Sequence, residues 1–288
     1  MVLESMVSPE AAESNPLTIM ILSFVFVTIS IFATMYLSAN NLASAGMLLV
    51  ALVALPSLPM MLRFFDYEAV GIETKPVFGS HTLARHMPLI IVMLAYFVGL
   101  VIAFVFWYFA LPPDTSAKLF AMQINEIKAI NSQFSGYAIN MPTLAAGTID
   151  QAMGVFETIF MHNLEVLILA IVFSVLYGAG AVLILAWNAS VIAIFISMAA
   201  KQFVLHSPGE SIITGLGIGA LGLVPHGTFE LLSYSAGALA GGILSSALIK
   251  KLYVHPQFIT IINDIAKLLA WAVVFLAVGA FLESGALG

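Results

Sequence analysis

The chain has 288 residues, 61% of them hydrophobic and only 8% charged, with a net charge of −6. A water-facing domain carries about a quarter charged residues, so most of this surface is built for lipid; nine Lys and Arg in total leave no clustered cations with which to neutralise nucleic acid. Cysteine is absent, which excludes disulfides, thiolate metal sites and cysteine nucleophiles.

Residues 1–16 form a polar tail without the basic start of a signal peptide, so the first apolar segment, 17–38, is expected to stay as a span. A second span is expected at 46–62, with Pro56 and Pro59 kinking it or ending it early. The polar stretch 63–86 follows as a connection, then a third span at 87–110. These elements make up a three-span region, 17–110.

Residues 111–157 are expected to lie outside the membrane. Within them 116–132 reads as an amphipathic helix, because Phe120, Ile124, Ile127 and Ile130 recur at three- and four-residue steps. It is expected as a cover packed on the bundle. The remainder, 158–288, reads as a C-terminal membrane core. Apolar segments 160–177 and 181–200 are split by Gly178-Ala179-Gly180, as a tight hairpin or one broken helix.

Segment 210–224 is short for a span and ends at Pro225. It is expected to dip into the membrane and stop, with a full span at 227–249 and the last at 258–282. The fold class is therefore an all-α polytopic membrane helical bundle of about 7–8 hydrophobic segments, with one broken or re-entrant helix pair. If 210–224 only dips, Lys250 and Lys251 join Arg63, Lys75 and Arg85 on one side, and the positive-inside rule puts the N-terminus in the cytoplasm. If it crosses, the small bias reverses.

His226 and Glu230 are four apart, on one helical face, in a stretch otherwise fit for lipid. An unpaired charge in hydrocarbon costs at least a few kcal/mol, so this face is expected to look inward. Gly237 and Gly241 continue it as a G-x-x-x-G that lets another helix approach closely. Pro225 and Gly227 form the expected turn above it. Candidate partners for the buried polar cluster are His162, Asn163 and Glu165 at the start of one span and Asn188 in the next. Asp264 and Lys267, three apart, are expected to pair. The cluster reads as structural glue, at about 1 kcal/mol per contact, as a transport or proton-relay site, or as a metal or hydrolase site. H-E-x-x-H and G-x-S-x-G are both absent, so no metal, cofactor or catalytic residue is assigned.

The string Pro225, His226, Gly227, Phe229, Glu230, Leu231, followed by Ala236 and Gly237, resembles the signature of the stage II sporulation protein M family. "IFMHNLEV" around Asn163 and "ILAWNASVIAIF" around Asn188 resemble two further elements in the same order, over about residues 95–285. Ala189 and Leu232 depart from the family's commoner glycine and proline. The resemblance implies a multi-pass protein of the cell membrane, and a scaffold or assembly component in membrane and envelope remodelling. A transporter or channel using the polar cluster is the alternative, and an intramembrane hydrolase a weaker one. Expected partners are the lipid bilayer, a second copy of the chain through the G-x-x-x-G stretches 215–219 and 237–241, and envelope proteins, with no nucleic acid.

Overall fold

The computed structural model describes residues 7–39, 41–74, 82–135, 149–256 and 258–284, and every regular element among them is a helix. A short α1 (Pro9–Ser14) precedes α2 (Leu17–Leu37), α3 (Gly46–Thr74) and α4 (Thr82–Ala110). Two cover helices follow, α5 (Pro113–Leu119) and α6 (Ala121–Ser135). The C-terminal group is α7 (Ile149–Tyr177), α8 (Ala181–His206), α9 (Ile212–Ile249) and α10 (Phe258–Glu283). Seven of these, α2 to α4 and α7 to α10, are long and apolar enough to cross a membrane. They share one hydrophobic core that runs from α1 to α10.

Seven crossings put α1, the α3–α4 connection and Lys250 at one face, called here the N-terminal face, and α5, α6 and the end of α10 at the other. Lys250 and Lys251 therefore lie on the side of α1, the sidedness expected from a dipping segment but reached by a different route. The re-entrant pair is not there: α9 is one helix of 38 residues that passes through Pro225. Pro225 withholds the N–H that would reach the Leu221 carbonyl, and both residues lie on the exposed side of the helix, where the proline ring meets no packed neighbour.

The same holds for α3, which continues through Pro56 and Pro59 to Thr74. Most of the expected 63–86 connection is thus helix, the end of α3 and the start of α4; residues 75–81 lie outside the described residues. The Gly178-Ala179-Gly180 break is a tight turn between α7 and α8, with Gly178 at φ +73°, a left-handed value that glycine adopts without strain. The expected 116–132 helix is two helices that meet at Phe120. Phe120 and Ile127 are buried, and Gln123 Nε2 donates 3.2 Å to Ser190 Oγ of α8, so α6 is a packed cover over its described side chains.

The small residues of α9 are used within the chain. Methyl groups on Gly237 and Gly241 would collide with Leu167 and with Ile171 and Ser174 of α7, and one on Gly215 would meet the Ala200 backbone of α8. Both G-x-x-x-G stretches serve intrachain packing, of the kind small residues allow. The C-terminal half of α9, from Ser233 to Ala247, is almost wholly buried, while 212–232 is half-buried or exposed apart from Gly215.

Candidate functional site

Two polar constellations stand out. The first joins α7, α9 and α10. Asn163 Nδ2 donates to Glu230 Oε1 at 2.6 Å, and the Tyr234 hydroxyl donates to Asn163 Oδ1 at 2.9 Å. Glu283, at the end of α10, stands beside Glu230. His226 lies one turn from Glu230, and its carbonyl packs near Gly279 of α10.

Exposure falls along this chain of groups. Glu283 is exposed, Glu230 and His226 are half-buried, and Asn163 and Tyr234 are 8% and 4% exposed. Although Glu230 stands at the middle of α9, it is level with the last turns of α10. The polar chain therefore runs from the C-terminal face into the core.

The sequence-based candidates divide. Glu230, Asn163 and His226 come together, and Gly237 and Gly241 carry α7 beside them. His162 and Glu165 flank Asn163 but point outward, because neighbours at one and two residues leave the buried face of a helix. Asn188 spends its amide on the Ile184 carbonyl of its own helix, at 2.9 Å. Pro225 is exposed and Gly227 has open space around it, so neither forms a pocket turn. Glu283 and Tyr234 complete the group. Tyr234 lies on the Glu230 stripe, one turn on. Glu283 gave no signal because it stands at the end of an apolar run.

The second constellation, at the N-terminal face, joins residues of the expected 63–86 connection to Asp264 of the last span. Asp264 of α10 accepts from Thr82 Oγ1 at 3.0 Å and pairs with Arg85, both of α4. His86 Nδ1 lies 2.9 Å from Glu68 of α3, and its Nε2 lies 3.9 Å from Asp264 with no hydrogen-bond partner. Asp264 therefore does not pair with Lys267, which is exposed on another face of α10. A paired, hydrogen-bonded carboxylate is the form in which a buried charge is tolerated. Nearby, Asp66 of α3 accepts from the Ser246 hydroxyl and sits 3.4 Å from Lys250 Nζ.

Neither constellation is built as a metal centre: among the described residues no three His, Asp or Glu side chains converge on one ion position. Nor is a hydrolase triad formed. Ser23, Ser57 and Ser197 donate to carbonyls one turn back in their own helices, and no serine there is bonded to a histidine among the described residues.

No curated protein and no solved structure matches the chain. The family description "Stage II sporulation protein M" matches residues 86–285, which takes in α4 from its fifth residue to α10, the whole polar chain, and of the Asp264 network Asp264 and His86 but not Glu68, Thr82 or Arg85. With well over half its length matched and its helices fitting a membrane bundle, the chain belongs to the stage II sporulation protein M family of membrane proteins.

Proposed function

We propose that this integral membrane protein is a scaffold or assembly component of the cell membrane, which serves membrane and envelope remodelling through partners and performs no chemistry of its own. The observation that carries this reading is the engagement of the intramembrane polar groups with one another. Tyr234, Asn163 and Glu230 form one bonded chain between α7 and α9, with Glu283 of α10 beside it. Such a chain fixes the mutual position of α7 and α9, as polar interhelical contacts do elsewhere. Self-association, if partners include a second copy, would use a surface other than the two G-x-x-x-G stretches, which face α7 and α8.

The test is Glu230→Gln, which keeps a hydrogen-bonding side chain of the same shape and removes the charge. On the scaffold reading, E230Q folds and restores the phenotype of a deletion strain, and proteoliposomes carrying the natural protein show no ion or proton flux above empty vesicles. A second reading, ion- or proton-coupled transport, is favoured by the fall in exposure from Glu283 to Tyr234, which is the shape of a one-sided entry path. Flux through the natural protein that disappears in a well-folded E230Q would establish it and overturn the scaffold.

A further inference from the structure

Of the seven spans, α7 has the smallest share buried within the chain. Its outward face is a stripe of Met161, Glu165, Ile168, Val172 and Leu176 at three- and four-residue steps, all exposed, with exposed His162 beside Glu165. The apolar members suit lipid. The two ionisable ones do not, and their depth is the anomaly. Glu165 stands midway along the span Met153–Tyr177, about 18 Å from either end at 1.5 Å per residue. His162 lies one turn back. Neither side chain has a hydrogen bond or an ion pair among the described residues. A long lysine near the end of a span can snorkel to water, but a glutamate at this depth cannot.

Ionisable groups inside a membrane face protein or a watered cavity and pair with one another. His162 and Glu165 face away from their own chain, so their cover comes from outside it. The two side chains also indicate what that cover is, because a base and an acid sit side by side on one face. Copies of one chain enter the bilayer the same way round, so a two-fold axis along the membrane normal sets two α7 helices parallel. In such an interface each group meets the other's counterpart: Glu165 meets the partner's His162, and His162 meets the partner's Glu165. The rise between the two positions, about 4.5 Å, is within side-chain reach, so both pairs close at once. An unrelated helix would have to supply an acid and a base of its own at matching heights.

From this we infer that the outward face of α7 is the interface between two copies of this chain, with His162 and Glu165 paired across the axis and Met161, Ile168 and Val172 packed around them. This interface takes the place of the two G-x-x-x-G stretches, which are spent on α7 and α8 within the chain. The inference does not rest on the scaffold reading, because a transporter would need the same cover, and its test leaves Glu230 untouched.

The chain has no cysteine of its own, so single cysteines report the interface directly. Full-length Ile168→Cys and Val172→Cys, oxidised in native membranes, should give disulfide-linked dimers. Ile29→Cys of α2 and Val273→Cys of α10, which are also exposed, should stay monomeric. In the Ile168→Cys background, Glu165→Lys should lower the dimer yield about tenfold, the worth of two interhelical polar pairs. Adding His162→Glu reverses both partners and should restore it. If a lysine at this depth blocks insertion, His162→Leu with Glu165→Leu suits lipid and should lower the yield likewise. Resistance to limited trypsin digestion separates a lost interface from a lost fold. Monomer alone from both seam cysteines, or crosslinks solely to a different protein, overturns the inference. An undiminished dimer yield in the folded double leucine variant does the same. So does ready labelling of Ile168→Cys by an impermeant thiol reagent, which would put water against this face and not a second copy.

Discussion

Asn163 is the joint of the intramembrane chain, and its two bonds can be separated by substitution. Tyr234→Phe removes one hydroxyl, leaves the ring in place and strips Asn163 Oδ1 of its donor, at an expected cost of about 1 kcal/mol. Asn163→Ala removes both bonds and strands the Tyr234 hydroxyl and a Glu230 oxygen. Membrane hydrogen bonds average near 0.6 kcal/mol, below the value in water-soluble cores, so about 2 kcal/mol is expected for the pair plus the lost amide packing. In the double variant the Tyr–Asn bond is lost only once. The two single effects should therefore exceed the double effect by about 0.5–1 kcal/mol. The assay is reversible unfolding in mixed micelles as the SDS fraction rises, followed by the fluorescence of the three tryptophans. Strict additivity, within about 0.3 kcal/mol, would refute the bond and with it the argument that the chain locks α7 to α9.

Asp264→Ala should destabilise the protein by about 3 kcal/mol in the same assay, because Thr82 and Arg85 lose a buried charged partner; Lys267→Ala, at an exposed position, should change it by less than about 0.5 kcal/mol. Gly241→Ala places a methyl 2.9 Å from the Ile171 carbonyl and should cost about 1–3 kcal/mol. Gly217→Ala meets open space and should stabilise α9 by up to about 1 kcal/mol through helix propensity. Single cysteines at Ala11 and Tyr253 should label from one side of the membrane with an impermeant thiol reagent, and those at Ser44 and Glu210 from the other. Labelling of all four from one side would contradict seven crossings.

Hydropathy made the spans legible, since nothing else in a chain can be so apolar for so long. What hydropathy could not convey was how charges would be accommodated. Glu68, Arg85 and His86 break an apolar run and therefore read as a loop, yet each is carried on a helix and answered from another helix. The answering residue, Asp264, is nearly 180 positions away from Arg85, a separation no local pattern reports. Pro225 misled in the opposite direction. The rule that proline ends helices rests on one lost hydrogen bond and one ring contact, and in α9 the helical bonds on either side of Pro225 carry the helix through. The Glu230–Asn163 pair was legible because an isolated carboxyl in lipid demands a partner and few amides were on offer. Asn188 was equally eligible by composition, and only the rotation of α8 decides that its amide serves its own backbone.

The span that packs on the most other spans is also the one least suited to enter the bilayer alone. Of the seven spans α9 has the lowest hydropathy and the greatest buried share, because its inner half is made of Ser, Ala and Gly that trade lipid affinity for close contact. At about 57 Å for 38 residues it also exceeds the roughly 30 Å hydrocarbon layer, so it must tilt steeply or carry one end beyond it. During synthesis such a segment has weak grounds to leave an insertion channel sideways until α7 and α8 are already there to receive it. Order of emergence thus becomes part of the design: the earlier helices form the solvent for the later one. Substitutions that weaken their α9-facing sides would show first as failed insertion of α9 in newly made chains, before any loss of stability in chains already assembled.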